Sequence, residues 1–239
     1  MKLKLATLAA MLSASPAFAD FAAGPNPYAA GFGFDTPTEA SWGGWSRGDA
    51  STVYAEWDSF DDASFPGSRN AAPDVGSSGS SDVNLSWNSG TGSAGSGNLY
   101  SPGVTEVFQI NLTGGPASGP VRAVLQTESV GTDFNLASIL LNGIAPTVQT
   151  VTFFDPAYAS TFGPAELSHR LFYWDLASAP TSFVFDFAST GPHMSLTQVA
   201  VDIAAAPVPE PETYAMLAAG LGLVGWQVRR RNKAKPHVA

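Results

Sequence analysis

The 239-residue chain contains no cysteine. Disulfides, thiolate metal sites and cysteine nucleophiles are therefore excluded, and an exported form would have to hold together through its core alone. Histidine is nearly as scarce: there are three, of which His237 belongs to the tail while His169 and His193 each stand alone in their local sequence. No G-x-S-x-G or H-E-x-x-H string occurs, so the sequence assigns no catalytic residue, no cofactor and no metal-ligand set. A pair of carboxylates for glycoside hydrolysis, such as Glu56 with a distant acid, stays open, because their separation is spatial. Basic residues are few and unevenly placed, seven of the 11 lying in the two end segments. Residues 20–206 hold only Arg47, Arg69, Arg122 and Arg170. The 20 acidic residues less Glu210 and Glu212 leave 18 carboxylates there, a net charge of −14. Such a surface repels phosphate backbones, which excludes nucleic acid as a partner and leaves neutral polysaccharide or divalent cations.

Long apolar runs are confined to the ends. Lys2 and Lys4 precede an apolar stretch from Leu5 to Leu12, and Ala17-Phe18-Ala19 supplies an A-x-A site before Asp20. This is the pattern of a cleaved secretory signal over residues 1–19, too short in its apolar part to span a bilayer. At the other end Pro207, Pro209 and Pro211 lack backbone donors and impose a stiff extended strut. Thr213 is a candidate N-cap, and residues 214–228 are uncharged up to Arg229, Arg230 and Arg231. Fifteen helical residues reach only about 22 Å against a hydrocarbon core of about 30 Å. Trp226 at the interface and snorkelling arginines, with Lys233 and Lys235, extend that reach and place residues 229–239 in the cytoplasm.

The string Val208-Pro209-Glu210-Pro211-Glu212-Thr213, the Gly- and Leu-rich helix and the arginine stop together resemble the PEP-CTERM sorting domain of Gram-negative bacteria, over residues 208–232. The resemblance implies recognition by an exosortase-type processing enzyme while the precursor sits in the inner membrane. Cleavage near Pro-Glu-Pro and transfer to the cell surface or extracellular matrix would follow, in a species that makes exopolysaccharide.

The middle of the chain, residues 20–206, is of a size for one domain. Phe21 to Thr38 reads as an irregular Gly/Pro/Ala-rich lead-in. Nine segments rich in β-branched and aromatic residues follow: 52–57, 83–87, 106–112, 121–128, 138–141, 148–154, 170–176, 183–187 and 196–203. Period-two alternation is clear in Phe183-Val184-Phe185-Asp186-Phe187, and again in Val199, Val201 and Ile203 with Asp202 opposite. The expected class is all-β, an antiparallel β-sandwich, jelly-roll-like, carrying one C-terminal transmembrane helix. The runs from Gly76 to Ser81 and from Ser89 to Gly97 read as flexible loops within it.

Two clusters bear on function. Trp42, Trp45, Tyr54, Trp57, Phe60 and Trp87 include rings able to stack on sugars, with Trp42, Trp45, Trp57 and Trp87 as the candidate contacts, whereas the same residues also serve as core fillers. Glu56, Asp58, Asp61 and Asp62, with Asp74 and Asp82, offer hard oxygen donors of the kind calcium takes, but without the full EF-hand spacing, so a solvated acidic loop is the favoured reading. The expected role is a non-enzymatic structural or adhesive one at the surface, with a carbohydrate-binding module as alternative and a secreted hydrolase as the least favoured.

Overall fold

The computed structural model describes residues 24–40, 42–60, 69–78, 82–160 and 162–207, together with Met216, 219–224, Trp226, Gln227 and Arg229 of the tail. The expected signal segment 1–19 lies outside these residues. Thirteen strands are described: β1 Val53–Trp57, β2 Asn70–Ala71, β3 Val75–Ser78, β4 Asn84–Trp87, β5 Gly92–Ser93, β6 Leu99–Tyr100, β7 Val107–Thr113, β8 Val121–Gly131, β9 Leu140–Leu141, β10 Val148–Ser160, β11 Gly163–Leu176, β12 Ser182–Ala188 and β13 Met194–Ala205. The only helical element ahead of the tail, among the described residues, is one 3-10 turn at Leu136–Ser138.

The strands form two antiparallel sheets. One runs β10-β11-β8-β13-β1-β3, with β6 also on β13 and β5 on β6; the other runs β2-β4-β7-β12-β9. Pairing is nested, β1 with β13, β7 with β12 and β8 with β11, so the chain crosses repeatedly from sheet to sheet. Alternation explains which faces meet. Phe183, Phe185 and Phe187 lie opposite Leu112, Ile110 and Phe108 of β7, and all six are buried. Phe108 and Phe187 stack with centroids 5.2 Å apart, and Trp174 of the larger sheet meets Phe185 of the smaller edge-on at 5.4 Å. Val53, Val199, Val201, Ile203, Ala123 and Leu125 complete this core from the larger sheet. Each large side chain so buried stabilises the fold by about 1.5–3 kcal/mol relative to exposure.

Two expectations are corrected. The Gly/Ser runs are not all loop, because β3 pairs with β1, Ser78 opposite Tyr54 and Ser77 opposite Ala55, and Gly92–Ser93 of the second run forms β5 against β6. Small residues lack packing surface but keep every backbone donor and acceptor, so the ladder can still form. The lead-in, although it contains no strand among its described residues, is also part of the folded body. Residues 24–40 and 42–50 lie as a strap across the outer face of the larger sheet, where Gln126 grips Asp35 by both its amide and carbonyl at 2.9 Å. A Cβ on Gly33, whose φ is +89, would meet Thr152 at 2.7 Å, so only glycine permits this approach.

Candidate functional site

Alternation along β1 sends Val53, Ala55 and Trp57 into the core and Tyr54 and Glu56 to the outer face, beneath the strap. Along β13 the same rule puts Asp202 beside them, and Tyr54 pairs directly with Asp202 in the ladder. The carboxylates of Glu56 and Asp202 are 1% and 0% exposed, which would be costly without partners. The strap supplies them. Arg47 donates from Nε to Asp202 Oδ1 at 2.8 Å and from Nη2 to Asp202 Oδ2 at 2.7 Å, a planar fork matched to a carboxylate. Its guanidinium lies 3.8 Å from the Tyr54 ring centroid. Tyr28 donates to Glu56 Oε2 at 3.0 Å, and Tyr54 and Gln198 donate to the two oxygens of Glu56 as well. Burial raises the Glu56 and Asp202 carboxyls above their ordinary range, opposed by these donors. For Arg47, burial alone would depress the guanidinium, but the Asp202 contacts outweigh it and hold it above its usual value. Further along this face His169 Nε2 lies 2.6 Å from Glu128 Oε2, an ion-pair distance without hydrogen-bond alignment, and His169 Nδ1 contacts the Phe32 carbonyl. These acids and this histidine are sealed under the strap and serve as its fastening.

The second cluster begins two residues beyond Glu56. Asp58 is 2% exposed, yet neither of its carboxylate oxygens finds a hydrogen-bond donor. What faces it is the Asp74 carboxylate, whose Oδ2 accepts the backbone N–H groups of Asp58 at 3.1 Å and Ser59 at 3.0 Å. Burial first and Asp74 second push the Asp58 carboxyl up to about 7. Asp61 and Asp62 lie outside the described residues. Asp82 begins the approach to β4 and is exposed. Among the described residues no group of three or more His, Asp or Glu side chains is gathered to hold a metal.

The four candidate sugar-contact tryptophans are buried: Trp42 at 6%, Trp45 at 8%, Trp57 at 0% and Trp87 at 6%. Trp57 donates to the Ala71 carbonyl at 3.0 Å inside the core. These rings therefore form no open stacking platform. Among the described residues of the sandwich, the exposed phenylalanine rings are Phe154, half exposed on β10, and Phe162, 98% exposed between β10 and β11. Of the two isolated histidines, His169 is buried as described, and His193 Nδ1 pairs with the Tyr100 hydroxyl at 2.8 Å.

The tail leaves the sandwich directly. β13 ends at Ala205, the Ala206 N–H donates to the Pro120 carbonyl at 3.0 Å, and Pro207 then leads into the sorting string. An open cleft of about 290 Å³ lies here between Arg122, Asp175, Leu176 and Pro207. Val208, Pro209, Glu210, Pro211 and Thr213, like Arg230 and Arg231, lie outside the described residues. Arg229 and the described positions from Met216 onward are helical and exposed. Among the described residues no helix is long and apolar enough to cross a membrane.

Residues 207–231 match the PEP-CTERM protein-sorting motif. The chain thus carries a PEP-CTERM sorting motif, the signal that marks an exported, membrane-anchored precursor for processing by exosortase. No curated protein and no solved structure matches the chain.

Proposed function

We propose that the chain is an exosortase substrate whose β-sandwich, once released from a C-terminal membrane helix over residues 214–228, serves as a non-enzymatic structural or adhesive protein at the cell surface or in an exopolysaccharide matrix. The observation that carries the reading is the sorting motif at residues 207–231, set two residues beyond the last strand of a folded body. The nested strand pairing reads as a jelly-roll-like winding, and the signal at residues 1–19 delivers it across the inner membrane. A sealed core, and a strap fastened on the buried Glu56 and Asp202, suit a passive building block. Replacing Pro209 and Pro211 with alanine is expected to trap the precursor in the membrane fraction. Normal release of that variant overturns the sorting reading.

A second reading, carbohydrate binding, draws support from Phe154 and Phe162 on the β10–β11 hairpin, since stacking on sugars needs an open ring face. Retarded mobility in neutral polysaccharide gels, lost in Phe162→Ala, would favour it. Unchanged mobility across a broad panel counts against it.

A further inference from the structure

We propose that Asp58 and Asp74 form a site for one hard divalent cation, calcium or magnesium, at the end of β1. Glu56, near the end of β1, and Asp58, the residue just past that end, are unequally served. Glu56 and Asp58 are equally buried, at 1% and 2% exposure, and each would be costly to ionise there. Glu56 has four side chains arranged around it: Tyr28, Tyr54 and Gln198 donate to it, and Arg47 reaches within 4.0 Å. Asp58 has none. Both of its oxygens lack a donor, and the group opposite them is another carboxylate.

Asp74 is moreover held in place. Its Oδ2 takes the N–H groups of Asp58 and Ser59, and its own N–H donates to the Glu56 carbonyl at 2.9 Å. That arrangement fixes the carboxylate while leaving Oδ1 uncommitted among the described hydrogen bonds. Three carboxylate oxygens, Asp58 Oδ1 and Oδ2 and Asp74 Oδ1, are thus available at a fixed corner with no basic residue hydrogen-bonded or ion-paired to them among the described residues. Oxygen donors alone select hard cations over zinc or copper, and two carboxylates completed by water and carbonyl oxygens are within what magnesium and calcium accept. The surrounding domain, at −14, concentrates divalent cations near its surface. This inference is independent of the sorting reading, because it concerns only the sandwich.

The test uses the full-length chain in detergent, stripped with EDTA, then titrated calorimetrically with CaCl2 and separately with MgCl2 across the ~10⁻⁴–10⁻³ M range in which extracellular calcium modules bind. Saturable uptake of one cation per chain is expected, with a rise in unfolding temperature, and the tighter-binding salt identifies the metal. Asp58→Asn and Asp74→Asn should each weaken uptake by at least roughly the 10-fold seen for lost supporting partners of metal sites. Glu166→Gln, an exposed acid on β11, makes the same change in net charge and should leave uptake unchanged. Absence of saturable uptake of either cation in the unaltered protein overturns the site, as does uptake that survives in both Asp58→Asn and Asp74→Asn. Asp58 would then share a proton with Asp74 instead.

Discussion

Two acidic residues at the end of β1, Glu56 within the strand and Asp58 just past it, have nearly the same burial and opposite fates. Glu56 lies under the strap with Arg47, Tyr28, Tyr54 and Gln198 around it, and Asp202 beside it is forked by Arg47. Asp58 faces Asp74 and, among the described residues, has no hydrogen-bond donor on its carboxylate. The first cluster is closed, so its charges act as fasteners. The second lacks donors, so its charge remains available for a proton or a cation. Burial alone therefore does not separate a structural carboxylate from a functional one; the partners do.

The comparison can be broken most forcefully at Arg47. Arg47→Ala leaves Asp202 and Glu56 buried without their cation, and a loss of about 3–5 kcal/mol in chemical denaturation is expected. A loss under 1 kcal/mol would mean that the strap is not held by this pair. Tyr54→Phe removes one donor to Glu56 while keeping the ring under Arg47, and should cost about 1.5–3 kcal/mol.

The open cluster should respond in the reverse direction. Asp58→Asn in cation-free buffer at pH 8 removes a charge that the fold does not compensate, so a gain on the order of 1 kcal/mol is expected from urea midpoints. A destabilised variant would show that Asp58 has partners equal to those of Glu56.

The pH dependence sharpens the same contrast. Asp58 titrates at about 7 when folded and near ~3.9 when unfolded. Between those values the native state holds a proton that the unfolded chain has released, so stability falls as pH rises from about 4 to about 7 and is flat above. Glu56 and Asp202, also raised, add slope of the same sign. Asp58→Asn should therefore reduce the slope without abolishing it, and an unchanged slope would contradict the assignment. The smallest effect is expected at Glu166→Gln, which should stay within about 0.5 kcal/mol of the parent at any pH.

Much of the sandwich was legible because alternation is local. The three phenylalanines of β12 and the Val199, Val201 and Ile203 series of β13 read directly as one buried face, and the structure places both in the core. Asn142-Gly143, with φ of +50 and +77, closes a tight turn between Leu141 and Ile144, a signal of two residues that was available in the string. The strap was not legible, since glycine, proline and alanine carry no periodicity, and what anchors it is Arg47 reaching Asp202 across 155 positions. The tryptophans show the same limit: composition cannot distinguish a ring stacked on sugar from one filling a core. The acidic pair was half visible: Asp58 and Asp74 both belonged to the acidic cluster, but nothing in a separation of 16 positions said that these two would meet. Only the sorting string was readable outright, because recognition there depends on consecutive residues.

The most direct test of the account is to fractionate cells and mass-map the C-terminus of the mature protein. The account requires a product lacking the apolar segment and Arg229 to Arg231, ending near Pro209-Glu210-Pro211, and recovered outside the inner membrane. Recovery of the final product with all 239 residues intact, in the cytosol, would contradict it.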